Sequence, residues 1–189
     1  MSQPGTRKHL TVKDIARIIS FDRSDEGIAK TMRQVRHWTQ NDLLRTATQK
    51  DTGKGVARVY NDSPTIEVAA LLLELSRYGA TVSILRPAAE AIYKDFDQYA
   101  EMEGWHLQTA LTDVSVYVQV AWESDPVTGE FAGAEVFMFD DLEFRDRPSS
   151  EGLEKSQRDL LHSATSSVLI NLTRILDRIY PHARDVLAK

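Results

Sequence analysis

The stretch Ile28-Ala29-Lys30-Thr31-Met32-Arg33-Gln34-Val35-Arg36-His37-Trp38 decides how the chain is read. At helical spacing Ile28, Met32, Val35 and Trp38 share one side and are expected to face a core. Lys30, Arg33 and His37 then lie opposite, with Gln34 and Arg36 on the flanks. Immediately upstream, Ser20–Gly27 is charged and reads as a connection. Before it, Thr11 can cap a helix whose apolar positions Val12, Ile15, Ala16, Ile18 and Ile19 leave Lys13, Asp14 and Arg17 outside. The first nine residues are polar and expected to fray.

Downstream, Asn41–Val59 holds scattered apolar residues with Gly53 and Gly55, the pattern of a loop or small hairpin. Pro64 can occupy the first turn of a third helix running to about Tyr78, and Gly79 ends it. Pro87 is expected to start a fourth helix, with Ile92, Phe96 and Tyr99 on one face. The period then changes. Val114, Val116, Val118, Val120 and Trp122 alternate with Ser115, Tyr117, Gln119 and Ala121, which predicts a half-buried strand. Asp125-Pro126 and Thr128-Gly129 supply turn chemistry, and Phe131 to Phe139 reads as the return strand. Ser149 or Ser150 can cap a long final helix that stops before Pro181. Its stripe would hold Leu161, Thr165, Val168, Leu172, Ile175 and Ile179.

Composition limits what such elements can do. The 189 residues are 42% hydrophobic and 27% charged, enough for one large domain or two small ones with a real core. The longest apolar runs, such as Val68–Leu73, fall far short of the roughly 18 residues a membrane span needs. No leader-like signal opens the sequence, and the expectation is a cytoplasmic protein with no membrane contact. With no Cys there are no disulfides, thiolate metal sites or cysteine nucleophiles. The net charge of −5 conceals a division. Residues 1–94 carry 15 Lys and Arg against 10 Asp and Glu, while residues 95–189 carry 8 against 18. The first half is thus +5 and the second −10, so only the first is suited to a polyanion.

Two short helices with a cationic, hydrogen-bonding face on the second describe a helix-turn-helix. A guanidinium matches guanine and a side-chain amide matches adenine, so Arg33 and Gln34 suit base edges. The same periodicity also fits a solvated helix face that is merely basic. At Val35-Arg36-His37-Trp38-Thr39-Gln40-Asn41-Asp42-Leu43-Leu44 the sequence resembles the end of the recognition helix in MerR-type winged-helix regulators. Arg58-Val59-Tyr60 resembles that family's Arg-x-Tyr on the wing, and Gly79-Ala80-Thr81-Val82-Ser83-Ile84 resembles the start of its next helix. Leu10-Thr11-Val12-Lys13-Asp14-Ile15-Ala16 resembles its first helix, so the likeness covers roughly residues 10–85 in order. The resemblance implies that Arg36 and Arg58 contact phosphates or groove edges, that Tyr60 donates its hydroxyl to a phosphate, and that Trp38, Leu43 and Leu44 are core. Tyr60 fits equally a core role bracing the wing, and His37 either a base contact or a solvated position. Two departures stand out. Ser20–Thr31 is longer than the family's usual turn, and Asp42 occupies a position where the family commonly has Gly.

The resulting expectation is an α+β protein. A winged helix-turn-helix DNA-binding domain spans 10–95, and an α+β dimerisation or regulatory domain spans 105–189 with a β-hairpin or antiparallel sheet and a long C-terminal helix. Lys30, Arg33, Gln34, Arg36, His37, Arg58 and Tyr60 are the expected contacts to double-stranded DNA. A single such domain reaches few bases, so a homodimer on a (pseudo)palindromic operator is expected. The alternative is a winged-helix protein–protein adaptor, or a ligand-sensing regulator acting through its acidic half. An aromatic set (Trp105, Tyr117, Trp122, Phe131, Phe137 and Phe139) suits either a small-molecule pocket or plain core, and no cofactor is indicated. Asp140, Asp141, Glu143 and Asp146 suit a hard cation by type but lack EF-hand spacing. An enzyme is not expected. His9, His37, His106, His162 and His182 form no metal-binding spacing, and Gly53-Lys54-Gly55 lacks the remaining residues of a P-loop.

Overall fold

Thr11 opens the first helix through a reciprocal cap. Its hydroxyl accepts from the Asp14 amide at 3.2 Å, and the Asp14 carboxylate accepts from the Thr11 amide at 3.0 Å. In the computed structural model, which describes residues 9–47, 58–99, 115–125, 127–128, 131–140 and 166–187, this cap joins β1 (His9–Thr11) to α1 (Val12–Ile19). His9, expected to fray, instead pairs with Asn61 at the end of β2 (Val59–Asn61), which runs antiparallel to β1. Between these strands come α1 and α2 (Asp25–Gln40). After β2 come α3 (Thr65–Arg77) and α4 (Val82–Tyr99). The second half forms β3 (Val116–Ser124), β4 (Phe131–Asp140), β5 (Ser166–Asn171) and α5 (Leu172–Leu187). The architecture is α+β, with a two-stranded sheet and a three-stranded sheet of order β4-β3-β5, both antiparallel.

Chain punctuation explains most boundaries. Ser24 caps α2 by accepting from the Gly27 amide at 3.1 Å, so that helix begins three residues before the expected Ile28. Asp42 takes a left-handed turn with φ of 58°, and Gly79 does the same after α3 with φ of 78°. The buried side of α2 is Gly27, Thr31, Val35, Trp38 and Thr39. Its wheel is therefore rotated slightly from the sequence expectation, which leaves Ile28 and Met32 half-buried at the edge.

Two prolines lie inside helices rather than at their ends. Pro87 does not start the fourth helix but lies inside α4, which begins at Val82. Ile84 and Leu85 are buried and stack in helical register with Ala88, Ala89, Ile92 and Tyr93, and that apolar face outweighs the lost amide of Pro87. Pro181 likewise lies inside α5, where buried Ile179 and Ala183 flank it. The expected long final helix is a strand followed by a helix. Ser166–Asn171 pairs with β3, Val120 opposite Val168 and Val118 opposite Ile170, and only then does Asn171 cap α5 by accepting from the Arg174 amide at 2.9 Å. The proposed start at Ser149 or Ser150, Leu161, the Gly53–Gly55 fragment, Trp105 and the acidic residues Asp141, Glu143 and Asp146 lie outside the described residues.

The hairpin is as expected, with β3 central. Val116, Val118 and Val120 point into the main core, while Ala121 and Phe137 form a small cluster with Tyr117 apart from it. That main core is continuous from Leu10 to Ala183. α1 packs on α2, α3 and α5, and α4 packs on the sheet. Among the described residues no helix is long and apolar enough to cross a membrane.

One charged group is sunk into this core. Glu67 of α3 is 3% exposed, its Oε1 accepting from Tyr180 at 2.9 Å and Ser63 at 3.1 Å while Oε2 has no partner. Burial pushes its carboxyl well above the usual carboxylate range and the charge of Asp62 adds to that, against the hydrogen bonds from Tyr180 and Ser63.

Two tests follow from these contacts. A Cβ on Gly27 would fall 2.5 Å from the Asp22 carbonyl oxygen and 2.4 Å from its Cγ. Gly27→Ala, ordinarily favourable in a helix, is therefore expected to cost about 1–3 kcal/mol, read from the urea midpoint. For Glu67 the folded state binds its proton more tightly than the unfolded chain. Its stabilisation is complete below the ordinary value of 4.5 and declines as pH rises through the raised value. Glu67→Gln should flatten that decline, so that between about pH 5 and about pH 8 the variant loses less unfolding free energy than the parent.

Candidate nucleic-acid interface

The turn between α1 and α2 sets the pose of α2. The Ser20 amide closes α1 on the Ala16 carbonyl at 3.0 Å, and the Ser20 hydroxyl donates to the Asp22 carbonyl at 2.6 Å. The Arg23 guanidinium caps α1 from beyond, donating to the Arg17 and Ile18 carbonyls. From α2, the Thr31 hydroxyl lies 3.1 Å from both Ser20 Oγ and the Gly27 carbonyl. At the other end, Leu43 and Leu44 are buried, and the Leu43 amide reaches the Trp38 carbonyl at 2.9 Å. The longer segment Ser20–Thr31 is thus a compact turn plus the first two turns of α2.

With that face inward, the expected readers point out. Lys30, Arg33, Arg36 and His37 are exposed along α2, and Gln34 is half-buried. His37 is braced by Asn41, whose Nδ2 lies 3.3 Å from the His37 ring and donates to the His37 carbonyl at 2.8 Å. Arg58 is exposed just before β2. Among the described residues none of Lys30, Arg33, Arg36 and Arg58 makes an ion pair. By contrast Arg45 is bound to Asp97 at 2.8 Å and stacks on Tyr93, and Arg86 donates to the Asn41 carbonyl. The acidic first turn of α2, Asp25 and Glu26, repels anions, so the cationic surface starts one turn later at Lys30.

Tyr60 does not join this surface. It is buried, and its hydroxyl lies 2.8 Å from Thr39 Oγ1. Thr39 spends its own proton on the Val35 carbonyl at 2.8 Å, so Tyr60 is the donor and has no proton left for a phosphate. It braces the β1–β2 pair against α2, the core role. Burial pushes its phenol up, while the Thr39 contact and the positive charges of Arg58 and Arg36 hold it part-way back. Those two arginines, far apart in sequence, therefore bear on one spot.

A groove of about 450 Å³ lies there, lined by Thr11, Lys13, Met32, Arg36, Gln40 and Arg58. Lys13 and Gln40 were not among the expected contacts. Both stand on outward helical positions, and only the packing of α2 against the start of α1 and β2 brings them together. On the opposite flank of α2, a second hollow of about 400 Å³ is lined by Ser20, Phe21, Asp22, Lys30, Gln34 and Arg77, among others. Arg33 and His37 line neither hollow and form the crest between.

The acidic half offers less. Of the hairpin aromatics whose side chains are described, Trp122 packs towards the main core whereas Tyr117 and Phe137 belong to the smaller cluster. Among the described residues no group of acidic or His side chains is placed to hold a metal ion.

If the Tyr60 hydroxyl is an internal brace, Tyr60→Phe should cost about 1 kcal/mol of stability and leave the affinity of the folded protein for duplex DNA unchanged. Denaturation and a binding titration on the same preparation separate the two effects. The chain matches no protein-family model and no curated protein, so this surface is read from its own geometry and charge.

Proposed function

We propose that the chain is a sequence-specific DNA-binding transcriptional regulator of the MerR-like winged helix-turn-helix type, acting in the cytoplasm as a homodimer on a (pseudo)palindromic operator. The observation that carries this is the exposed basic crest of α2, free of ion pairs among the described residues, with Lys30, Arg33 and His37 outward and Arg36 and Arg58 converging beside it. The order of elements supports it. Two helices joined by a tight turn are followed by a strand, β2, that pairs back on β1, and then by two further helices. β2 and the groove it edges correspond to the wing. Arg33 is the reader of a base edge, with Gln34 beside it, and Lys30, Arg36 and Arg58 hold the backbone and fix register. Dimerisation follows from the small reach of one such domain rather than from any contact in the chain.

The adaptor alternative separates cleanly by electrostatics. A duplex binder loses affinity steeply as salt rises, because neutralised phosphates release counterions. Arg33→Ala is expected to relax sequence preference by roughly 1–3 kcal/mol at one position, whereas Arg58→Ala weakens all duplexes about equally. Selection from a random duplex pool followed by salt titrations of parent and variants reads both effects. Parental behaviour of both variants would remove the helix-turn-helix assignment.

A further inference from the structure

The second hollow beside α2 continues into a cluster of arginines that the proposed reading of α2 does not use. Phe21, in the turn before α2, is 37% exposed. Two guanidinium groups lie over its ring, Arg77 from the end of α3 at 4.6 Å and Arg178 from α5 at 3.8 Å. Arg23 stands close enough to act electrostatically on Arg178. Two positive charges from two different helices thus meet at one ring, with Arg23 near enough to act on one of them.

Among the described residues Arg77 has an ion pair and Arg178 has none. Glu74 is the carboxylate that acts on Arg178, and it is already gripped by Arg77 at 3.1 and 3.2 Å. The other carboxylate nearby, Asp22, accepts from the Ser24 amide at 2.9 Å. Arg178 itself makes no hydrogen bond or ion pair among the described residues. Partial burial lowers its hold on its proton, with the attraction of Glu74 opposing that and the repulsion of Arg77 and Arg23 adding to it. Stacking one arginine on Phe21 would secure the turn. Bringing a second adds repulsion, which an external anion relieves.

The position of the cluster names that anion. Phe21 and Arg77 line the same hollow as Lys30 and Gln34 of α2, together with Asp22, so Arg77 and its neighbour over the ring, Arg178, stand on the flank of the α2 crest. We propose that Arg77 and Arg178, held over Phe21, form a second phosphate contact for the duplex that α2 reads, which makes the C-terminal helix part of the DNA interface. This rests on the DNA-binding reading above. The contact grips backbone and carries no sequence preference.

The test uses the full chain, sonicated double-stranded DNA, and a duplex selected from a random pool. Arg178→Gln is expected to weaken both duplexes by a similar factor, roughly five- to tenfold at about 0.1 M salt, and to reduce the slope of log affinity against log salt by about 0.9. Arg178→Lys, which keeps the charge, should retain the parental slope. Glu74→Gln, which removes the competing carboxylate, should tighten binding to both duplexes. Arg178→Gln with parental affinity and slope, while Arg33→Ala still relaxes sequence preference, would overturn this contact and leave the regulator reading intact. An equal loss of slope in Arg178→Lys would also overturn it, since packing rather than charge would then be responsible. Absence of salt-dependent duplex binding by the parent would remove both proposals, and an acidic protein surface would become the partner to seek.

Discussion

A buried hydroxyl pair governs the first half of the molecule. Tyr60 donates to Thr39 at 2.8 Å, and Thr39 in turn donates to the Val35 carbonyl at 2.8 Å. Each hydroxyl would cost about 1–3 kcal/mol if left unpaired away from water, so the contact resists any rotation of α2 about its own axis. With Val35 and Thr39 turned to the β1–β2 pair, and Thr31 and Gly27 turned to the α1–α2 turn, the outward arc is determined. It contains Lys30, Arg33, Arg36, His37 and Gln40, five polar side chains, four of them basic in type. The residue that fixes this arc is thus the same Tyr60 that the family resemblance assigned to a phosphate. Its contribution is to aim the others.

Local signals made this half legible. Thr11 is a cap with a suitably placed partner, Gly79 ends α3, and Asp42 adopts a left-handed turn at a position where the resembling family commonly has Gly, whereas Ser24, inside a stretch that reads as a connection, is a cap the local pattern does not reveal. Where the reading failed, two patterns competed. Val168, Leu172 and Ile175 fit helical spacing, yet Val168 and Ile170 also alternate as strand residues. The choice was made by β3, whose amides and carbonyls needed a partner on the side away from β4. Pro87 and Pro181 marked helix ends by their chemistry, but buried neighbours on both sides keep the helices running through them. The place of Lys13 in the groove beside Arg36 and Arg58 has no local signal, since it depends on how α1's start meets α2 and β2. The same holds for Arg178 and Phe21, which only the docking of α5 brings together.

The charge division of the sequence takes a different form in three dimensions. By composition the second half is acidic, yet α5, which belongs to it, packs on α1 and α3 in the core of the basic half and presents Arg174 and Arg178 outward. The boundary that matters physically therefore does not run between the two halves of the sequence. It runs between the face built by α2, its turn and α5, and the sheet with its hairpin.

That arrangement makes α5 a mechanical link. At its start, Thr173 accepts from the Val116 amide at 2.8 Å, and Asn171 caps it from the end of β5, so α5 moves with the sheet. Further along, Arg178 rests on Phe21 in the α1–α2 turn, and Tyr180 holds the buried carboxyl of Glu67 in α3. Coupling between distant sites requires an element whose position both ends feel, and rigid helices supply it because packed cores do not deform gradually. A displacement of the sheet large enough to shift α5 would leave Glu67 without its phenolic donor in a medium that penalises its charge. It would also lift a guanidinium from the turn that orients α2. Those two penalties fall on opposite sides of the same helix, and together they favour one docked position of α5 over any intermediate one.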